Sequence, residues 1–166
     1  TIPIRDASGG FEVGYLQMDT TPPVVETGGV GKLIWNDTDG TIEFQAKGGT
    51  TTIQIGQEEI LRIKNDNGSA ITAGQVAYIS GSNGINLLAK LASASSEATS
   101  SSTIGIVTES IASNNHGFIA TFGTVRNINT LHLTEGAPVW LSTTAGGTTS
   151  TRPTQPNHGV LLGFCL

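Results

Sequence analysis

The sequence predicts an all-β protein: a short-strand N-terminal segment, then a small β-barrel or sandwich with an internal duplication. Three observations predict it. Apolar residues recur with period two in runs of four to six, the signature of half-buried strands. Glycine and turn-forming pairs separate those runs, with 22 glycines among 166 residues. A ten-residue pattern also occurs twice in the same order. Hydrophobic residues make up 37% of the chain and charged residues only 13%. A disordered chain would be rich in charge and poor in apolar residues, so this one is expected to fold.

The first strands are read from alternation. In "KLIWN", Leu33 and Trp35 share one face and Ile34 takes the other. "TIEFQ" places Ile42 and Phe44 together, "TTIQIG" does so with Ile53 and Ile55, and "EILRIKN" with Leu61 and Ile63. Between the first two runs stands Asp39-Gly40, a pair that favours a hairpin turn because both residues tolerate positive φ. Asn67-Gly68 and Asn83-Gly84 read the same way. The best helical candidate is 86–98, where Leu87, Leu88 and Leu91 fall at helical spacing. The Ser/Thr run "ASASSEATSSST" reads as a solvated connection, with an adaptable recognition loop as the sharper alternative.

A division is expected near residue 65. Residues 1–65, broken by Pro22-Pro23 and the Gly-Gly pairs at 9–10, 28–29 and 48–49, form a thin attachment and oligomerisation segment. Strands this short bury little apolar area alone, so pairing with another chain would satisfy them better. The oligomer interface is therefore expected at Ile42, Phe44, Ile53 and Ile55, whose faces have no obvious partner within the chain. Residues 66–166 form the duplicated barrel-like domain.

The duplication relates "ITAGQVAYIS" (71–80) to "LTEGAPVWLS" (133–142) at a constant offset of 62. Thr72 matches Thr134, Gly74 matches Gly136, Tyr78 matches Trp140 and Ser80 matches Ser142. Each copy leads to a second strand with a central glycine, "TIGIV" with Gly105 and "LLGFC" with Gly163. Thr-x-Gly makes a turn into a strand, and the later glycine permits close backbone approach or a barrel bend. Two such units about a pseudo-twofold axis suggest a closed or half-closed barrel, with Tyr78 and Trp140 in equivalent core-edge places.

No chemistry stands out. The net charge is −5 and no Lys/Arg block exists, which argues against a nucleic-acid partner. No apolar run nears the roughly 20 residues of a membrane span, so no membrane insertion is expected. No secretory signal is visible at the N-terminus, and the leading Thr suits removal of an initiator Met or a trimmed chain. "DTDG" lacks ligands at the first and last positions of a calcium loop, where Trp35 and Ala46 would fall. His116, His132 and His158 sit in turn-like or unclustered settings. Glu58 and Glu59, being adjacent in a strand, point to opposite faces. Cys165, the single cysteine, lies in an apolar run and is expected to be buried and inert. Aromatic residues, at 5%, are too few for a stacked sugar groove. No catalytic, cofactor-binding or metal residue is therefore expected, and no cofactor.

The stretches "GKLIWNDTDGTIEFQAKGGTTTIQIGQEEILRIKN", "GSAITAGQVAYISGSNG", "TIGIVTESIASNNHGFIATFGTVRNINT" and "LTEGAPVWLSTTAGGTTSTRPTQPNHGVLLGF" together resemble a widespread type of bacteriophage virion structural protein, tail- or fibre-associated. The similarity runs from about residue 31. A weaker similarity is to small β-barrel capsid decoration proteins, through their Thr-x-Gly strand entries. The resemblance implies a non-enzymatic subunit of a tail fibre or appendage at the surface of the phage particle. It also implies assembly, commonly as a trimer, with other virion proteins and a host surface receptor as partners. The alternative it leaves is a decoration or cement protein on the phage head. The first 30 residues carry no resemblance and suit an adaptor to another virion protein. A glycan-degrading tailspike fragment would need a pair of acids along an aromatic groove, and the chain is poor in both.

Overall fold

The structure is a computed structural model that describes residues 33–46 and 51–166. Pro22-Pro23, the three Gly-Gly pairs and the adaptor expected over the first 30 residues lie outside the described residues. Those described form eleven strands and one helical turn, an all-β fold.

The first three strands, β1 (Leu33–Asn36), β2 (Thr41–Gln45) and β3 (Thr52–Gln54), make an antiparallel sheet in the order β1-β2-β3. The β1–β2 connection is a four-residue loop rather than a two-residue turn on Asp39-Gly40. Gly40 alone takes the left-handed conformation, at φ +66°, and its N–H donates to the Asn36 carbonyl at 2.9 Å. The Asn36 side chain closes the loop from inside, accepting the amides of Thr38 and Asp39 at 3.0 and 3.1 Å.

A closed five-stranded barrel follows: β4 (Glu59–Asn65), β5 (Val76–Asn83), β6 (Asn86–Leu91), β7 (Thr103–Val107) and β8 (His116–Phe122), in the order β4-β6-β5-β7-β8. Antiparallel pairing of β8 with β4 completes the ring. The division expected near residue 65 thus falls after the first barrel strand, and the barrel begins at Glu59. Alternation gave β4 its buried face, but its partner β8 lies over fifty residues away and leaves no local signal. The interior holds Ile63, Ile71, Val107, Ile111 and Ile119 with Ala77 and Ala89. Small residues beside large ones suit the narrow lumen of so few strands.

Residues 86–91, expected to be helical, are β6. Gly84-Ile85 forms a two-residue turn with Gly84 at φ +61°, and β6 pairs with β5 from Asn83↔Asn86 to Ala77↔Leu91. Positive φ at the first central position is what a type II′ hairpin requires. Leucines at 87, 88 and 91 fit either period, and strand pairing decides between them. The helix α1 is confined to Glu97–Ser100. Asn67-Gly68 does turn the chain, with Gly68 at φ +79°, but it does not join hairpin partners, because β4 pairs with β6 and β8.

The second copy of the repeat is a separate sheet of β9 (Pro138–Leu141), β10 (Thr148–Thr149) and β11 (Leu161–Phe164), in the order β10-β9-β11. It reproduces β6-β5-β7 in detail. Val76 opposes Ile106 and Ala77 opposes Gly105 in the first copy, and Pro138 opposes Phe164 and Val139 opposes Gly163 in the second. The register then slips at the same place in both, giving Tyr78↔Thr103 and Trp140↔Leu161. The entry turns match as well, with Gly74 at φ +86° and Gly136 at φ +73°. Their amides donate to the carbonyls of Val107 and Cys165 at 2.8 and 2.9 Å.

The two copies do not, however, combine into one pseudo-twofold barrel. The first is closed by β4 and β8, and the second has no such neighbours among the described residues. It packs instead on the outer wall of the barrel. Val76, Ala92, Ala94 and Leu141 are buried there, flanked by Tyr78, Ile106, Val160 and Leu162. The Ser/Thr run is part of this joint rather than a wholly solvated connection. Ala92, Ser93, Ala94 and Ser100 are buried. The Ala94 amide donates to Ser142 O at 2.9 Å, and the Ser93 hydroxyl to Thr143 O at 2.8 Å. Ser95–Ala98 and Ser101-Ser102 are its exposed parts.

Trp140 is half-buried on β9, on the face opposite the buried Val139 and Leu141. The Arg152 guanidinium lies over its ring, 5.4 Å from the centroid. Tyr78 is half-buried too, so the paired aromatics hold core-edge places as expected. Because part of the ring stays wet, Trp140→Ala should destabilise by about 1–3 kcal/mol, short of the roughly 3–5 kcal/mol for a fully buried aromatic. Thermal unfolding of the variant checks this; a loss at the fully buried level would mean that the ring is sealed in the core.

Candidate functional site

The feature best suited to a task is one face of the N-terminal sheet. Antiparallel register places Leu33 beside Phe44 and Trp35 beside Ile42, and Phe44 beside Ile53. Ile55, one residue past β3, donates its amide to the Ile42 carbonyl at 2.8 Å and so continues the register opposite Ile42. Side chains two apart in a strand share a face, so Leu33, Trp35, Ile42, Phe44, Ile53 and Ile55 form one apolar surface. Leu33, Ile42 and Ile55 are 54%, 37% and 51% exposed, and the other three are half-buried. None of the six joins either buried cluster.

All four expected interface residues, Ile42, Phe44, Ile53 and Ile55, are therefore brought together. Leu33 and Trp35 complete the surface. Their own alternation was visible in the sequence, but their place beside Phe44 and Ile42 depends on the β1–β2 register.

The reverse face is polar apart from Ile34, and its residues bond within the sheet and to Glu58 before the barrel. Asn36 Nδ2 donates to Glu43 Oε1 at 2.6 Å, and Gln54 Nε2 donates to Asp39 Oδ2 at 2.6 Å. The buried Glu58 carboxylate accepts the Gln54 amide at 2.9 Å and pairs with Arg126. On the apolar side, Thr51, two residues before Ile53, shares a hydroxyl contact of 3.1 Å with Thr108 of the barrel, so that end of the face meets the barrel. These bonds hold the sheet to the barrel, and Leu33, Ile42 and Ile55 stay exposed on its apolar side. The Glu58–Arg126 pair joins residues 68 apart and had no sequence signal.

The remaining reactive groups are scattered. Asp37 accepts the Trp35 indole N–H at 3.3 Å, and Asp39 is held by Asn36 and Gln54, so the acids of "DTDG" serve their hairpin. His116 contacts Asn86, His132 contacts Thr148, and His158 faces Glu97 at 3.3 Å. Glu58 is buried and Glu59 exposed, on opposite faces of the chain. Cys165 is buried. Among the described residues no group of three or more His, Cys, Asp or Glu is placed to hold a metal ion, and no helix is long and apolar enough to cross a membrane. The geometry offers an adhesive face on a rigid scaffold.

Comparison with known proteins returns no match: no family model, curated protein or solved structure corresponds to the chain.

Proposed function

We propose that the chain is a non-enzymatic structural subunit of a bacteriophage virion, a tail-fibre or tail-appendage protein that works as a homotrimer. The observation that carries the reading is the one-sided apolar sheet of β1, β2 and β3. A three-stranded sheet needs a second layer on its apolar face to be stable. Three copies meeting about a threefold axis would supply that layer from identical residues and close the assembly without leaving a sticky face. The low charge and dense short strands suit a particle component built to persist, and the resemblance of residues 31–164 to tail- and fibre-associated proteins supplies the setting. Other virion proteins, and a receptor on the host surface, are the partners this role implies.

Light scattering after size exclusion tests the assembly. The protein at micromolar concentration should elute as a trimer. The double variant Ile42→Asp, Phe44→Asp should elute as a monomer with its barrel still folded, because charges on that face would be desolvated on association. A monomeric parent protein, or a trimeric variant, would overturn the interface. Labelled electron microscopy of virions tests the location. Label on the tail supports the fibre role, and label covering the head would make the chain a decoration protein instead. Glycan hydrolysis by the purified protein would overturn both.

A further inference from the structure

Asn-Gly pairs occur twice in the chain, at Asn67-Gly68 and Asn83-Gly84, and both turn it. The structure places them very differently. Asn67 is half-buried and tied at three points. Its backbone amide donates to Asn65 Oδ1 at 2.8 Å, its Nδ2 donates to Ser69 Oγ at 3.1 Å, and its Oδ1 accepts the Leu91 amide at 3.3 Å. The Asn67 carboxamide cannot swing without breaking two of these bonds.

Asn83 stands at the other extreme. It ends β5 at the tip of the β5–β6 hairpin, where residues 80–85 are all exposed and Ile85 is 99% exposed. Its backbone carbonyl meets Asn86 Nδ2 at 3.5 Å, but its own carboxamide has no hydrogen-bond partner among the described residues. A register shift at Gly81 separates this tip from the part of β5 that lines the barrel. Gly84 takes φ +61°, and the space where a Cβ would stand is clear within 4 Å. With so few contacts the tip opens locally at little cost.

We propose that Asn83 is a self-modification site, whose carboxamide is converted to aspartate and isoaspartate with water as the only co-reactant. The Gly84 amide nitrogen attacks Asn83 Cγ. A C–N bond forms, the Cγ–Nδ2 bond breaks, and Nδ2 leaves as ammonia with the proton from the Gly84 amide. The product is a five-membered succinimide. Glycine favours the attack because no side chain crowds its nitrogen and its backbone turns freely. Water then opens the ring. Addition at Cγ breaks the new C–N bond and gives aspartate; addition at the Asn83 main-chain carbonyl carbon breaks the original peptide bond and gives isoaspartate, with the backbone routed through Cβ. Nothing is oxidised or reduced. Either product adds one negative charge at the tip to a chain whose net charge is already −5. Isoaspartate also lengthens the backbone where Asn83 pairs with Asn86 and so loosens the end of the hairpin. The site does not depend on the virion reading or on the trimer.

The test holds the full chain in warm, mildly alkaline buffer and follows both Asn-Gly pairs by peptide mapping, with fragmentation that separates aspartate from isoaspartate. In the folded protein Asn83 should convert at least about tenfold faster than Asn67, because only the hairpin tip opens freely. In denaturant, where the bonds around Asn67 are gone, the two should convert at similar rates. Asn83→Gln, whose longer side chain closes a ring far more slowly, should remove most of the acidic shift that the folded parent develops on isoelectric focusing. Equal rates at the two sites in the folded protein, or Asn67 ahead, would overturn the proposal. So would an Asn83 that stays intact in the folded chain after the denatured chain has converted, because pairing would then lock the tip. An acidic shift undiminished in Asn83→Gln would overturn it as well.

Discussion

Gly105→Ala should cost about 4 kcal/mol or more, the largest effect expected of an alanine at any described glycine. The added Cβ would overlap the carbonyl oxygen of Ala120 and stand 2.9 Å from its carbonyl carbon. Both atoms are backbone, so no side chain can swing away. Relief requires β7 and β8 to part, which breaks the pairing of Ile106 with Ala120 and Val107 with Ile119 and opens the barrel. Domains of this size hold only about 5–15 kcal/mol in total, so a large drop in melting temperature follows. Gly163→Ala is the matched control. It meets nothing within 4 Å and carries a strained φ of +156°, so it should cost about 1–2 kcal/mol. Thermal melts of both variants decide the matter. A Gly105→Ala protein that melts with or above Gly163→Ala would show that β8 does not lie against β7 as described.

Asn65→Leu should destabilise by about 3 kcal/mol although leucine is close in size and more apolar. Asn65 ends β4, where the parallel β4–β6 pairing is only two residues long, Lys64↔Leu88 and Asn65↔Ala89. Its side chain is fully buried and fully used. Nδ2 donates to the carbonyls of Ser69 and Ile111 at 2.9 and 2.8 Å, and Oδ1 accepts the Asn67 amide at 2.8 Å. Leucine would take a partner from the buried Ile111 carbonyl and free the part-buried Ser69 carbonyl and Asn67 amide, and each loss at a buried site costs roughly 1–3 kcal/mol. Denaturant unfolding with Asn65→Asp alongside separates the causes. Aspartate keeps the acceptor for Asn67, loses both donors and adds a buried charge, so it should be at least as harmful as leucine. A leucine variant as stable as the parent would show that hydrophobic burial outweighs the network.

How far the site was legible follows from the same physics. Ile42, Phe44, Ile53 and Ile55 could be chosen from alternation because side-chain direction within a strand is a local property. That they share a face with Leu33 and Trp35 depends on register, which the Asp37–Gly40 loop sets at four residues where the Asp-Gly pair suggested two. The Ser/Thr run was misread for a related reason. Its composition is that of a solvated loop, but the burial of Ala92, Ser93 and Ala94 comes from the second sheet docking on them, an event forty residues later in the chain.

By itself the sequence determined the all-β class, the positions of most strands and the repeat, because period, turn chemistry and self-similarity are properties of neighbouring residues. The Thr-x-Gly entries at 72–74 and 134–136 predicted matching turns, and matching turns, pairings and register slips are what the chain forms. Only the tertiary structure decided that residues 86–91 are a strand, that β4 belongs to the barrel, and that one copy closes while no described strand closes the other. Those outcomes rest on partners far apart in the chain. β8 closes the first copy at Gly105, and no described strand reaches Gly163, so two nearly identical local units end in different states.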